Sequence, residues 1–434
     1  MPDCAPVSAP FVGNAIKKRD GRSVFLQGAS PEVRLLLLCS RTRVEPCTAQ
    51  SIRVLLRETI DWRQLQRIAW QHGVTPLVYA ALNSVASKAV PVSVLDDFRD
   101  QVRAATGRAA VQTKELLRLL ALFEAAGVPA ICFKGPVLAA SVYGNVAFRV
   151  FSDLDLLVGK NQLPTICRIL VEQGYVCDET RLAPGQMDAF RHLFDQHNFV
   201  SRRNSIVVEP HWEMQRKTFV PSLDTNELRR RATTMTLAGT MVRTLAPEDS
   251  LEFLCAHASH HHLWERLAWI CDIAEFLRTN SEIDLNTLLS RSAAAGGKRS
   301  VLLGLCLAHE LLDARLPQDI VQTIQTDPKT KILARQVLGW LFQEPPSKPS
   351  AFRLARFHID TKERLRDKAL YIYRVGMYPS FLEFDTFPLP KPLLFLYPPM
   401  LIVWRLMRYS SAFLKEALAR LTSRTSTSKF RARD

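Results

Sequence analysis

The sequence predicts an α+β protein, with a small mixed β-sheet core flanked by helical regions on both sides. Three observations predict it. Helical apolar periodicity fills residues 31–125 and returns after about residue 223. Short β-type runs gather between 126 and 222, and Gly or Pro marks most transitions. The 434 residues are 47% hydrophobic, enough for a sizeable core in two or three structural units, and the 23% charged content excludes a wholly disordered chain.

Residues 1–30 lack periodicity and are rich in Ala, Pro, Gly and Ser, so they are expected to be disordered. From Pro31 to residue 125 the spacing is helical. Leu55, Leu56, Ile60, Leu65 and Ile68 approximate one stripe, Asp61 is placed to cap the next helix, and Gly73 ends it before Thr75-Pro76 opens another. The clearest helix is 111–126, with Leu116, Leu119, Leu120 and Phe123 on one face, Gly127 as its stop and Pro129 preventing continuation.

The core is expected over 126–222. Ala130–Phe133 reads as a strand, Lys134-Gly135-Pro136 as a turn, Val137–Tyr143 as a short helix and Phe151–Val158 as a second strand. A helix opens at Pro164 and stops at Gly174, and residues 197–213 read as two strands around a polar turn near 202–205. Residues 223–404 read as almost wholly helical, with a linker at 345–350 and a basic tail over 405–434.

The net charge of +15 favours polyanionic partners: nucleotides, nucleic acid or an anionic membrane surface. An arginine-rich composition without functional meaning explains it equally well. The nine cysteines are scattered singly with no Cys-x-x-Cys pair, which points to a reducing, cytoplasmic setting. No basic and apolar leader opens the chain, and no stretch reaches the ~20 apolar residues of a membrane span. Leu393–Trp404 comes nearest but is short and interrupted by Pro398 and Pro399, so it reads as buried or interfacial. Together with the basic tail it offers peripheral contact with an anionic membrane, although a solvated helix end is the plainer reading.

Two acids in an apolar strand carry the chemistry. Strand period two puts Asp153 and Asp155 on one face, where their charges repel and burial costs several kcal/mol each unless a cation answers them. Hard oxygen donors favour Mg²⁺ or Mn²⁺ over zinc. A third carboxylate is expected on a neighbouring strand, and Glu209 ends the β-branched run Ile206-Val207-Val208. His211 and Glu213 share its parity, with Pro210 leaving their direction open. Upstream, Lys134-Gly135 lies between a strand and a helix, where a backbone without Cβ and a helix N-terminus favour phosphate. An ordinary strand–turn–helix corner is the alternative.

These residues resemble a known pattern. Lys134-Gly135, Tyr143, Arg149 and Ser152-Asp153-Leu154-Asp155-Leu156-Leu157-Val158, with Glu209-Pro210-His211-Trp212 downstream, are similar to the bacterial uncharacterised nucleotidyltransferase family within the DNA polymerase β-like superfamily. Asp61-Trp62, residues 72–77, His257, Trp264, Leu267 and Asp272-Ile273-Ala274 extend the likeness over roughly residues 50–410. The resemblance implies transfer of a nucleoside monophosphate from an NTP to an acceptor hydroxyl, releasing pyrophosphate. It implies metal ligation and catalysis by Asp153, Asp155 and Glu209, and nucleotide contacts from Lys134, Gly135 and Arg149. Arg149 is equally well read as an ion-pair partner of Asp153 or Asp155.

The acceptor is open among small molecules, sugars, peptides and proteins. His257 and His211 are candidates for the substrate cleft, His211 being as readily a buried, hydrogen-bonded residue. His257 and His261 stand one helical turn apart, but no further zinc ligands accompany them. Asp272 is expected to cap or pair. Two other function classes remain: a non-catalytic nucleotide- or protein-binding descendant, and a nucleic-acid-binding protein, which the lack of basic motifs interleaved with aromatics disfavours.

Overall fold

The computed structural model describes residues 28–177, 181–216, 223–343 and 350–407. The expected N-terminal disorder up to residue 27, nearly all of the 345–350 linker and the basic tail from residue 408 lie outside them.

The sheet is mixed and seven-stranded. Its strands are β1 (Ile131–Cys132), β2 (Asp153–Leu157), β3 (Tyr175–Cys177), β4 (Phe199–Ser201), β5 (Val207–His211), β6 (Thr233–Leu237) and β7 (Thr240–Thr244), in the order β3-β4-β5-β2-β1-β7-β6. The pairs β2–β5 and β1–β7 are parallel; the rest are antiparallel. The central strand β2 is buried beyond Asp153, with Leu156 and Leu157 at 0% exposure.

Alternation along β2 divides the molecule. Leu154 and Leu156 enter a core with Leu116, Phe123, Ile166, Phe190 and Trp212, while Leu157 joins a larger helical core. That larger core unites both flanking regions: Leu36, Ile52 and Phe98 pack in one cluster with Leu254, Ile270 and Leu305. Glu275 ties the two across the chain, its carboxylate accepting from Thr42 N–H at 3.2 Å and from the Thr42 hydroxyl at 2.6 Å. The helix expected at 111–126 is the last part of a 34-residue helix, Val92–Ala125, about 50 Å long. Phe98 near its start belongs to the helical core and Phe123 near its end to the sheet core, so one helix braces both.

Local signals hold where expected. Asp61 caps Trp62–Gln71, accepting from Gln64 N–H at 3.0 Å, and Gly73, Gly127 and Gly174 have the left-handed φ of +69°, +69° and +84° that ends a helix. The expectation of almost wholly helical sequence after residue 223 is corrected by the β6–β7 hairpin. Ala238 and Gly239 at φ +47° and +82° make its two-residue turn, with Leu237 paired to Thr240. Both turn residues at positive φ match the type I′ turn that suits strand twist, and β7 continues the sheet beside β1. The alternating Thr-Met pattern around Ala-Gly was the available signal. The short β3 was also unforeseen.

Leu393–Trp404 is half-buried. Tyr397 and Leu401 are 2% and 3% exposed, whereas Phe395, Ile402 and Val403 are 69%, 60% and 56% exposed. Among the described residues, no helix is long and apolar enough to cross a membrane.

One buried cation matters for stability. The Lys362 Nζ lies 2.8 Å from His260 Nε2, and burial pulls its pKa from 10.5 down to about 7, against a smaller opposing pull from Asp367. Between these values the unfolded chain holds a proton that the folded chain releases, so folding stability rises with pH over that window. We expect Lys362→Met to flatten this rise, as measured by urea unfolding at pH 7 and pH 9.

Candidate functional site

The parallel register of β2 and β5 builds the site. Asp155 stands opposite Glu209, Asp153 opposite Val207 and Leu157 opposite His211, so Asp153, Asp155, Glu209 and His211 share the face of the sheet toward the helical core. Pro210 does not end the strand. β4 pairs with Val207 and Val208 and stops short of it, and Val158 N–H donates to the His211 carbonyl at 2.9 Å beyond it. His211 therefore points inward. Its Nε2 is 3.1 Å from Asp155 Oδ1 and 3.6 Å from Glu209 Oε2, and its ring meets the edge of Phe133 at 5.2 Å.

Among the described residues, Asp155, Glu209 and His211 form the group with metal-ligand geometry, their donor atoms all lying within 4.8 Å of one another. The histidine run 257–262 is not part of it. Glu209 is oriented by Gln196, whose Nε2 donates to Oε2 at 2.7 Å. Gln196 is placed by a bridge to His211 and carried no sequence signal. Asp153 lies at the strand entrance and is less enclosed than Asp155.

Lys134 reaches the same carboxylate: its Nζ is 2.9 Å from Asp155 Oδ1 and 5.8 Å from the ring centres of Phe133 and Phe253. The electrostatics follow from burial. It opposes charge on Asp155, but Lys134 and His211 outweigh it and hold the carboxyl below its usual range. It likewise opposes charge on His211, where hydrogen bonds to Asp155 and Glu209 win and raise the imidazole. Asp153 goes the other way, pushed up to about 6 by burial and then by the Asp155 charge. The Asp155 Oδ2 is buried without a hydrogen-bond partner. An ionised oxygen in that state has open capacity for a cation, so the residues present fit a divalent ion.

The Lys134-Gly135 corner is a close approach. Gly135 has φ +57°, and a Cβ there would lie 3.1 Å from the Asp153 carbonyl oxygen. The glycine thus seats the start of the helix Gly135–Tyr143 against β2. We expect Gly135→Ala to cost about 1–2 kcal/mol through the left-handed conformation, before any displacement of Asp153, and to lower the melting temperature measurably.

Arg149 is committed elsewhere. Its Nε and a terminal nitrogen meet both oxygens of Asp272, at 2.8 and 3.0 Å, and the Tyr143 hydroxyl donates to the same carboxylate at 2.6 Å. Asp272 therefore pairs, as expected, and Arg149 is held by it rather than by Asp153 or Asp155. His257 stacks on Phe253 and His261, and its Nε2 is 3.0 Å from that of His262. A cavity beside Asp153 is lined by Lys134, Arg149, His257, His262, Arg266 and Trp269, among others. His257 thus borders the site, as does His262 of the same histidine run, while Arg266 and Trp269 border it without having been singled out.

Fold and site together define a class: an α+β chain that presents carboxylates and an imidazole for a cation on a mixed sheet, beside a basic strand–turn–helix corner. More particularly, a family model described as an uncharacterised nucleotidyltransferase matches residues 58–313, more than half of the 434-residue chain, and the chain belongs to that family. Searches of curated proteins and of solved structures gave no match. Membership supports nucleotidyl transfer in general terms; the match stops well short of the 410 to which the sequence likeness extends.

Proposed function

We propose that this protein transfers a nucleoside monophosphate from an NTP to an acceptor hydroxyl. The observation that carries the reading is Asp155 facing Glu209 across parallel strands, two residues beyond Asp153, in a chain of nucleotidyltransferase family. Asp155, Glu209 and His211, whose donor atoms gather within 4.8 Å, would hold Mg²⁺ or Mn²⁺, the imidazole suiting Mn²⁺ in particular; Asp153, expected as a ligand from the sequence, falls outside that group and would join it only from the strand entrance. When bound, the ion withdraws charge from the α-phosphate and the departing pyrophosphate.

The chain's own groups divide the remaining work. Glu209, fixed by Gln196, accepts the proton of the acceptor hydroxyl as its oxygen bonds to the α-phosphorus and the bond to pyrophosphate breaks. Lys134 offers an ammonium to phosphate oxygens beside Asp155. Gly135 keeps the corner close to β2, and Arg149, anchored by Asp272, borders the phosphate side. His211 holds Asp155 and Glu209 in place. The acceptor is a small molecule, sugar, peptide or protein; nucleic acid is not favoured. The free cysteines, most of them buried, support a cytoplasmic setting.

A second reading has its own observation. Lys134 and His211 already place two cationic side chains on Asp155, at 2.9 and 3.1 Å, as a non-catalytic nucleotide-binding descendant would. The test is calorimetry with Mn²⁺ and each NTP. Saturable metal binding that strengthens with NTP supports catalysis, and nucleotide binding indifferent to metal supports the second reading.

A further inference from the structure

We infer that a second cavity, framed by the helices Trp62–Gln71 and Val92–Ala125 and by the start of the helix Thr75–Ala86, binds a hydroxylated small anion, a sugar phosphate or sugar acid, and that this anion is the acceptor. The binding site stands on its own observations. The acceptor role rests on the nucleotidyl-transfer reading above and narrows the acceptor that this reading leaves open.

The stretch 72–77, prominent in the sequence, takes no part in the carboxylate group of the sheet. It is held from behind. His72 Nδ1 accepts from Leu267 N–H at 3.3 Å, the His72 carbonyl accepts from Ala268 N–H at 3.1 Å, and a Cβ on Gly73 would lie 3.4 Å from that of Ala268. Gly73 at φ +69° then turns the chain, and Thr75 opens its helix. No side chain caps that helix, and its ladder begins at Val78, whose N–H donates to the Val74 carbonyl. A helix start of this kind presents amide donors and partial positive charge, one donor being removed here by Pro76.

The lining supplies the rest. The cavity is about 500 Å³, within the ~300–1,000 Å³ of pockets that enclose a small ligand. Gln101, Ala104, Ala105 and Arg108 fall on one stripe of the long helix, and the two alanines leave room between the longer side chains. Arg67 and Arg108 bring two guanidiniums, and among the described residues no carboxylate lines the cavity. Asp97 touches a lining residue, accepting from Gln66 Nε2 at 3.2 Å, but it is exposed and screened by solvent. Two guanidiniums beside an uncapped helix start select an anion. Two buried atoms call for hydroxyls: among the described residues, Thr75 Oγ1, in a side chain 6% exposed, and the Gln101 amide oxygen have no hydrogen-bond partner. Trp70, 73% exposed, offers an apolar face to a ring. The uncharged base of a nucleotide has no use for two guanidiniums, which separates this occupant from the NTP. Val150, 45% exposed, lines both this cavity and the one beside Asp153, so the occupant borders the nucleotide.

The test is calorimetry on the full chain without NTP or metal, titrating glucose 6-phosphate, glucuronate and uncharged glucose into wild type, Arg108→Ala and Thr75→Val, with melting curves to check folding. We expect both anions to bind, glucose to bind roughly tenfold more weakly, and Arg108→Ala to weaken the anions roughly tenfold, the loss of one charge-assisted contact. Arg108→Lys should recover part of the loss. Thr75→Val keeps the shape and removes the unpartnered hydroxyl, so it should weaken the anions about threefold with the melting temperature unchanged or higher, a combination that a purely structural role would not produce. No binding of either anion by wild type, glucose binding as tightly as the anions, or anion affinity unchanged in Arg108→Ala overturns the inference. The acceptor role is read with Mg²⁺ and each NTP added: the anions should raise pyrophosphate release in wild type and less so in Arg108→Ala, with NTP affinity unchanged. NTP affinity that falls with the anions in Arg108→Ala overturns the inference, since the cavity would then hold the nucleotide. Anion binding without that rise, in a wild type that binds NTP, overturns the acceptor role. Wild type that binds the anions but no NTP removes the proposed function and leaves the anion site standing.

Discussion

Asp155→Asn is expected to lower metal-dependent pyrophosphate release roughly 10²–10⁴-fold, the range for loss of one group that stabilises charge or moves a proton in the transition state. Asp155 is where the site converges: Lys134 and His211 both contact its Oδ1, Glu209 faces it, and its Oδ2 is buried without a partner. An amide keeps the shape and removes the charge. The ion then loses its central anionic ligand, and Lys134 loses the anion that favours its proton. Mn²⁺ affinity should fall in parallel, and calorimetry at one pH checks it. A variant that keeps wild-type Mn²⁺ affinity would show that the ion sits elsewhere.

The largest effect on stability is expected at Asp272. Its side chain is 2% exposed, and it answers the Arg149 guanidinium with both oxygens while accepting from Tyr143. It also joins the segment before β2 to the helix Leu267–Thr279, that is, the sheet to the helical core. Asp272→Ala leaves a nearly buried guanidinium and a buried hydroxyl without their partner. Breaking a buried pair in this way costs about 3–5 kcal/mol, visible as a lower urea midpoint with an unchanged slope. Arg149→Met with Asp272→Leu removes both charges, so the double variant should recover much of that loss.

Much of the centre was legible because strand chemistry is local. Period two aligned Asp153 with Asp155, and a β-branched run announced the strand that carries Glu209. Gly135 was legible as a residue the turn requires, although the reason found is the Asp153 carbonyl 3.1 Å away. Tyr143, Arg149 and Asp272 stood out in the motif, but their mutual contact could not be read, since it joins residues more than 120 positions apart. The direction of His211 was hidden by Pro210, a residue that usually interrupts pairing and here sits beyond the β4 ladder. The wall of the cavity beside Asp153 was least legible. There the π-helix Ala258–His262 is followed by Leu263 and Trp264 in the left-handed region, an arrangement without a sequence signature, because buried Trp264 and Ser259 impose it rather than local propensity. The shared core of the two flanking regions was hidden for a similar reason: periodicity shows which face is buried and not which partner buries it.

The central claim is tested most directly by incubating the protein with each labelled NTP, Mg²⁺ and an extract of small molecules and proteins, then following label transfer and pyrophosphate. The account predicts pyrophosphate release and a labelled acceptor with at least one NTP, both abolished by chelator and by Asp153→Ala with Asp155→Ala. Transfer that survives in that double variant would contradict the assignment of these carboxylates.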